Sequence, residues 1–115
     1  MPATLPKKER LSGKTAIAVL TGRGKWDHTP HLRCCCLSGT GTGLNRIMVS
    51  VPKRYFKRAV RRNLLKRRLR EAYRLQKDLL EEPGHDILFV YNNAEVVEFS
   101  VIFGEVGDLL KRIAR

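Results

Sequence analysis

Apolar and polar positions alternate along the chain in segments with different periods. His31 to Leu37, Arg46 to Val51 and Asp86 to Tyr91 are short, densely apolar runs bounded by turn formers, which predicts three strands. Ser38-Gly39-Thr40-Gly41-Thr42-Gly43 separates the first two and reads as a loop, so these two strands are expected to form a hairpin with a flexible tip. Phe56 to Leu80 contains neither Gly nor Pro and is rich in Leu, Arg, Lys and Ala. That composition predicts a long helix, stopped before Pro83-Gly84. Glu98 to Ala114 places Val101, Ile102, Val106, Leu109, Leu110 and Ile113 at helical spacing, a second helix. Lys14 to Thr21 is either a short helix with Ser12 as N-cap or a strand, because Ala16 to Leu20 is unbroken apolar sequence.

This order gives an α+β domain: a two-layer sandwich of a small mixed sheet with helices on one face, plus N- and C-terminal helices. The strands on either side of the long helix are expected to be parallel and joined by it. The 115 residues form a single domain (1–115), with 1–10 expected as a flexible basic arm carrying Pro2, Pro6, Lys7, Lys8 and Arg10. Residues 22 to 31 carry no clear pattern.

Charge narrows the function. Lys plus Arg number 23 against 11 Asp plus Glu, a net charge of +12, while 43% hydrophobic residues suffice for a core. A polyanionic partner relieves that self-repulsion; nucleic acid is the commonest, an anionic membrane surface the other. No apolar stretch reaches the ~18 residues of a membrane span. No apolar segment of a secretory signal follows Lys7, Lys8 and Arg10. Cys34, Cys35 and Cys36 are adjacent, which does not suit an ordinary disulfide and points to a reducing compartment. The expected location is the cytoplasm.

The charge is concentrated in the long helix. Half the residues from Lys53 to Arg74 are Lys or Arg, against one acid, Glu71. Arg62, Lys66, Arg70 and Arg74 follow at i,i+4 steps, a spacing of like charges that destabilises an isolated helix. Phosphates lying against that stripe would remove the repulsion. Leu65, Leu69 and Ala72 fall on another side and can face the sheet. Arg suits bidentate phosphate contacts, Lys a point contact. Asn63 can donate and accept at once, which suits a sugar hydroxyl, a base edge or a metal-bound water. A merely solvated basic face is the bland alternative.

Val51-Pro52-Lys53-Arg54, Lys57-Arg58-Ala59-Val60 and Arg62-Asn63-Leu64-Leu65-Lys66-Arg67-Arg68-Leu69-Arg70-Glu71-Ala72 together resemble the signature of the bacterial ribonuclease P protein component. The resemblance extends to Glu9-Arg10-Leu11, the strands at Ile47 to Val51 and Asp86 to Val90, and Leu109-Leu110-Lys111. It implies a subunit that binds a large catalytic RNA, and with it precursor tRNA, whose 5′ leader is removed. Hydrolysis would belong to the RNA and its Mg2+ ions; the protein would be an accessory subunit without an active site. Arg62, Asn63, Lys66, Arg67, Arg68 and Arg70 would contact RNA or organise the metal surroundings, with Arg61 and Arg74 beside them. Lys53, Arg54, Lys57 and Arg58 would extend the basic surface. A cleft between the sheet and this helix would hold the single-stranded leader. The strand–helix–strand unit is expected to have a left-handed crossover. The sequence departs from the family where Leu64 replaces the motif's second Arg and where Ile17 stands for an aromatic residue of the first helix.

Candidate stacking platforms for a single strand are Trp26, Tyr55, Phe56, Phe89 and Tyr91; Tyr55, Phe89 and Tyr91 are the candidates for the leader, with the core as the rival place for all three and local packing as the alternative for Trp26. Cys34 and Cys36 share one strand face and Cys35 takes the other, without zinc-site spacing. Gly39-x-Gly41-x-Gly43 lacks the Lys-Ser/Thr of a phosphate-binding loop. No cluster of carboxylates sits beside the basic motif to hold two metal ions, so no protein nuclease site is expected. The remaining alternative is another RNA-binding module, ribosomal-protein-like, with no part in cleavage.

Overall fold

Asp86–Tyr91 is buried at five of its six positions, and only Val90 is half-buried. A strand apolar on both faces belongs at the centre of a sheet covered on both sides. In the structure, a computed structural model describing residues 5–114, it does. The elements run α1 (Lys14–Arg23), β1 (Lys25–His28), β2 (Leu32–Leu37), β3 (Arg46–Ser50), α2 (Ala59–Arg74), β4 (Asp86–Tyr91) and α3 (Phe99–Ala114). The sheet order is β1-β2-β4-β3. β4 is antiparallel to β2 and parallel to β3. The mixed sheet and the parallel pair around the long helix agree with the expected α+β architecture.

The pairing of β2 with β3 does not occur. β4 lies between them, and β2 instead forms its hairpin with β1. The glycine-rich segment is a crossing that carries the chain past the start of β4. Gly39, Gly41 and Gly43 take φ of 71°, 73° and 71° there, values that glycine alone adopts without steric cost. The Thr40 amide donates to the Gly84 carbonyl at 3.1 Å and the Gly84 amide to Leu44 at 2.9 Å, which fixes the crossing against the β4 entry.

α2 is shorter than predicted. Arg58 is extended, with φ −81° and ψ 126°, so helical structure begins at Ala59 rather than Phe56. Phe56 is 4% exposed and anchors the preceding turn, its ring 5.8 Å from that of Tyr91. After Arg74 the chain tightens into a 3-10 turn, Lys77–Leu79. Gln76 marks the change: its amide side chain donates to the carbonyls of Ala72 and Phe103, at 3.0 and 2.8 Å, tying the helix end to α3. α1 resolves the early ambiguity as a helix. Its N-cap is Gly13 rather than Ser12, with no side-chain cap bond.

Two clusters form the core. Leu65, Leu69, Ala72 and Tyr73 of α2 and Ile102, Val106, Leu109 and Leu110 of α3 pack on Leu32, Cys34, Ile47, Val49, Ile87, Phe89 and Tyr91. On the opposite face, Leu20 of α1 joins Leu11, Cys35 and Leu88. Helices therefore cover both faces, α1 only partly, where one covered face was expected. The expected arm is also different: Leu5 is buried in the main cluster, Arg10 bridges to Ile47, and Lys77 pairs with Glu9 at 3.1 Å. Residues 1–4 of that arm lie outside the described residues. Among the described residues, no helix is long and apolar enough to cross a membrane.

Candidate nucleic-acid interface

The β3–α2 turn is made by what it buries. Val51 and Phe56 are 5% and 4% exposed. Between and after them, Lys53, Arg54, Lys57 and Arg58 are left exposed. Tyr55 is half-buried; its hydroxyl donates to Asn92 Oδ1 at 3.0 Å, and the Arg54 guanidinium lies 4.9 Å over its ring. Arg62 closes the turn. Its Nη1 donates to the carbonyls of Phe56 and Lys57, each at 2.8 Å. Two peptide oxygens just ahead of the helix are thereby satisfied.

Along α2 the predicted apolar side is correct, since Leu65, Leu69 and Ala72 are fully buried, joined by Tyr73. The basic stripe is not uniform. Arg62 and Arg68 are committed to the fold, the latter through a 2.8 Å bond from Nη1 to the Val97 carbonyl. Arg74 pairs with Glu71. Burial, and then the charge of Arg10, push the Arg70 guanidinium pKa down. Lys66 and Arg70 are half-buried, while Arg61, Asn63 and Arg67 are exposed.

Five of the eleven acids, Glu71 and four others, are engaged away from the basic turn and the start of α2. Asp86 receives two bonds from Arg46 at 3.0 and 2.8 Å. Asp27 pairs with Arg112, and Glu9 with Lys77. Glu105 accepts from the Thr29 hydroxyl, the His31 amide and the His31 ring. Among the described residues, Lys53, Arg54, Lys57, Arg58, Arg61, Lys66 and Arg67 therefore make no ion pair with a carboxylate.

The expected leader cleft between the sheet and this helix is filled. Phe89 and Tyr91 are both 0% exposed, and their rings pack against Tyr73 and Phe56. They offer no face to a ligand, so of the three stacking candidates Tyr55 alone remains at the surface. The other sheet face is only partly accessible, since Leu11 and Leu20 cover it at Cys35 and Leu88. There the register aligns Trp26, Cys35, Leu88 and Met48 in one row and His28, Arg33, Val90 and Ser50 in the next. In this second row His28 and Arg33 are exposed and Val90 and Ser50 half-buried. It lies at the end of the sheet from which the β3–α2 turn emerges.

Sequence reading missed Arg33, placed Arg10 only in the arm and the family resemblance, and named Trp26 among the stacking platforms without a position in the sheet. Lys25-Trp26-Asp27-His28, followed by Thr29-Pro30, is a short strand and turn whose charged composition hid it. The cysteines are as placed by alternation: Cys34 and Cys35 are buried and Cys36 is half-buried. Burial pushes all three thiols up, so they stay protonated. Among the described residues, no three His, Cys, Asp or Glu side chains converge as a metal site. Mg2+ requires several oxygen donors together; Glu9, Asp27, Glu71, Asp86 and Glu105 already face cations or hydrogen-bond donors, and the other described carboxylates do not converge, so these residues do not group the ligands of a magnesium ion. Asn63 remains the exposed neutral polar group within the motif.

The same arrangement of elements recurs in known proteins. The family model described as Ribonuclease P matches residues 5–114. The chain is 38% identical over 111 residues to the "Ribonuclease P protein component" of Porphyromonas gingivalis, covering 93% of this chain and 78% of that protein. The solved RNase P protein of Thermotoga maritima superposes with a TM-score of 0.79 at 27% identity, over 90% of this chain and 96% of that one. An RNase P protein mutant of Staphylococcus aureus shares the fold, with a TM-score of 0.82 at 20% identity over 93% and 89% of the two chains. The motif helix, the parallel strands around it and a match over nearly the whole length lead to one conclusion: this chain belongs to the ribonuclease P protein component family.

Proposed function

We propose that the chain is the accessory, non-catalytic subunit of a ribonuclease P in the cytoplasm. It binds the catalytic RNA through the unpaired cations of α2 and of the turn before it, and presents the partly uncovered sheet face, at Arg33, Val90 and Ser50, to the single-stranded 5′ leader of precursor tRNA. Magnesium-dependent hydrolysis belongs to the RNA in this reading, which supplies the metal ligands that the protein's scattered carboxylates do not.

One observation carries the reading. None of the eight cations from Lys53 to Arg67 has a carboxylate partner within the described fold, and of these only Arg62 is tied to backbone carbonyls. Leaving them so, when none of the protein's own acids is brought to them, favours a polyanion from outside. Phosphate contacts of this kind position an RNA without reading its sequence, which suits one particular structured RNA and many precursors.

Reconstitution tests it. The chain is mixed with a bacterial ribonuclease P RNA and a leader-bearing precursor tRNA at low magnesium. Faster cleavage than with RNA alone is expected. RNA binding without a gain in cleavage would leave only a general RNA-binding module, and cleavage by the chain without the RNA would make it a nuclease in its own right.

A further inference from the structure

We infer that Trp26, held by Arg33, is a base-stacking platform for an unpaired nucleotide of the precursor tRNA leader, at the exposed β1 edge of the sheet face opposite α2. The inference rests on the leader reading above and adds to it a specific contact point.

Trp26 is 44% exposed, and it is the one aromatic among the large apolar side chains that the described residues leave exposed. The Arg33 carbon Cζ lies 4.6 Å from the centroid of its ring. A guanidinium over an indole is a favourable cation–π pair, which orients the ring and also places a cation beside it. Sequence-tolerant binding of a single strand uses this combination, an aromatic plane beside positive charge.

The placement fits a strand crossing the sheet. Trp26 extends the row of Cys35, Leu88 and Met48, while Arg33 belongs to the adjoining row of Val90 and Ser50. Both residues thus share the face opposite α2. The row runs across all four strands, about 14 Å at the usual strand spacing. Cys35 and Leu88 lie buried beneath Leu20 and Leu11, so the accessible path is the adjoining row, whose β3 end at Ser50 leads into the basic turn of Lys53, Arg54, Lys57 and Arg58. A leader entering there passes the half-buried Ser50 and Val90, then the exposed Arg33, and meets its aromatic platform at the β1 edge. α1, which borders this face, has no aromatic residue. The edge is not repellent to phosphate: Lys25 is exposed, and Arg112 pairs with Asp27 at 3.1 Å.

Trp26 is the only tryptophan in the chain, so its emission reports on the site directly. The full chain is assembled with a bacterial ribonuclease P RNA, and its fluorescence is followed on adding precursor tRNA or mature tRNA. The expected result is quenching by the precursor and none by mature tRNA. Trp26→Ala should weaken precursor binding roughly tenfold, the scale of one base–aromatic stack, and leave mature tRNA binding unchanged. Trp26→Phe should restore most of the loss. If the precursor binds more tightly than mature tRNA but Trp26→Ala does not alter that preference, the platform is overturned while the leader reading stands. If the two tRNAs bind alike to the wild-type assembly, the leader reading falls and takes the platform with it. Quenching by the catalytic RNA alone, with no further change on adding precursor, would assign Trp26 to that RNA and also overturn the inference.

Discussion

Arg62 reaches back six residues to the carbonyl oxygen of Phe56, 2.8 Å from its Nη1. A side chain at the centre of the basic motif is thus part of the turn that starts the helix. Replacing it with Ala should therefore cost stability. The loss expected for hydrogen bonds to a charged group is about 1.5–3 kcal/mol, or roughly 5–15 °C in Tm for a domain of this size. Thermal unfolding of Arg62→Ala without RNA measures this, and an unchanged Tm would mean the turn does not depend on it.

Arg61 and Arg67 should behave in the opposite way. Both are exposed and make no ion pair with a carboxylate among the described residues. The double substitution Arg61→Ala/Arg67→Ala should leave Tm almost unchanged. It should flatten the dependence of log affinity for RNA on log salt by about 1.4–1.8, the contribution of two phosphate contacts. A salt series by filter binding or anisotropy gives the slope, and a slope equal to that of the wild type would remove these two residues from the interface.

Glu105 makes stability sensitive to acid. Burial raises its pKa, but the Thr29 hydroxyl and the ring and amide of His31 outweigh that and hold it below the ordinary 4.5. A carboxyl group depressed on folding stabilises the fold fully above its unfolded value. That contribution is lost as pH falls below about 4.5 and through the lower folded value. Glu105→Gln should reduce stability at neutral pH by about 1–2 kcal/mol and flatten the acid limb of the profile. Denaturant midpoints between neutral and strongly acidic pH test it; an identical acid limb in the variant would show that another group is responsible.

Gly24 joins α1 to the sheet at a point with no room for a side chain. A Cβ there would lie 2.6 Å from Cys35 Sγ and 2.6 Å from the Leu20 carbonyl oxygen. Gly24→Ala should cost about 1–3 kcal/mol through displacement of α1. Gly22→Ala, within α1 and facing open space, should instead stabilise by up to about 1 kcal/mol from helix propensity. Measuring the two together separates crowding from backbone freedom, and a Gly24→Ala variant as stable as wild type would contradict the contact.

The legible parts of the molecule were those in which one physical effect dominates. Leu65, Leu69 and Ala72 repeat at helical spacing, and they are buried. The Asp86–Tyr91 run had to be a strand, and its continuous apolar character already marked a central one. Giving that signal full weight would have ruled out the hairpin between its two neighbours, because a central strand must sit between partners. Faces were harder to read. Alternation puts Phe89 and Tyr91 together but does not say which side α2 covers, and with both sides covered an aromatic on β4 has little chance of meeting solvent. The division of the arginines was not legible at all: Arg61 and Arg62 are neighbours of the same type, and the carbonyls of Phe56 and Lys57 alone make the difference.

The two borders of the sheet are guarded differently. Along β3, Arg10 bridges to Ile47 and the Leu11 amide donates to the Ile47 carbonyl at 2.7 Å, so that border is closed by the chain itself. β1 has no such cover. It is four residues long, exposed throughout, carries Lys25 and Asp27, and gives way at once to Thr29-Pro30. A border this short and charged resists being extended by a foreign strand. The molecule can thus carry its exposed cationic groups without its backbone seeding ribbons of its own copies.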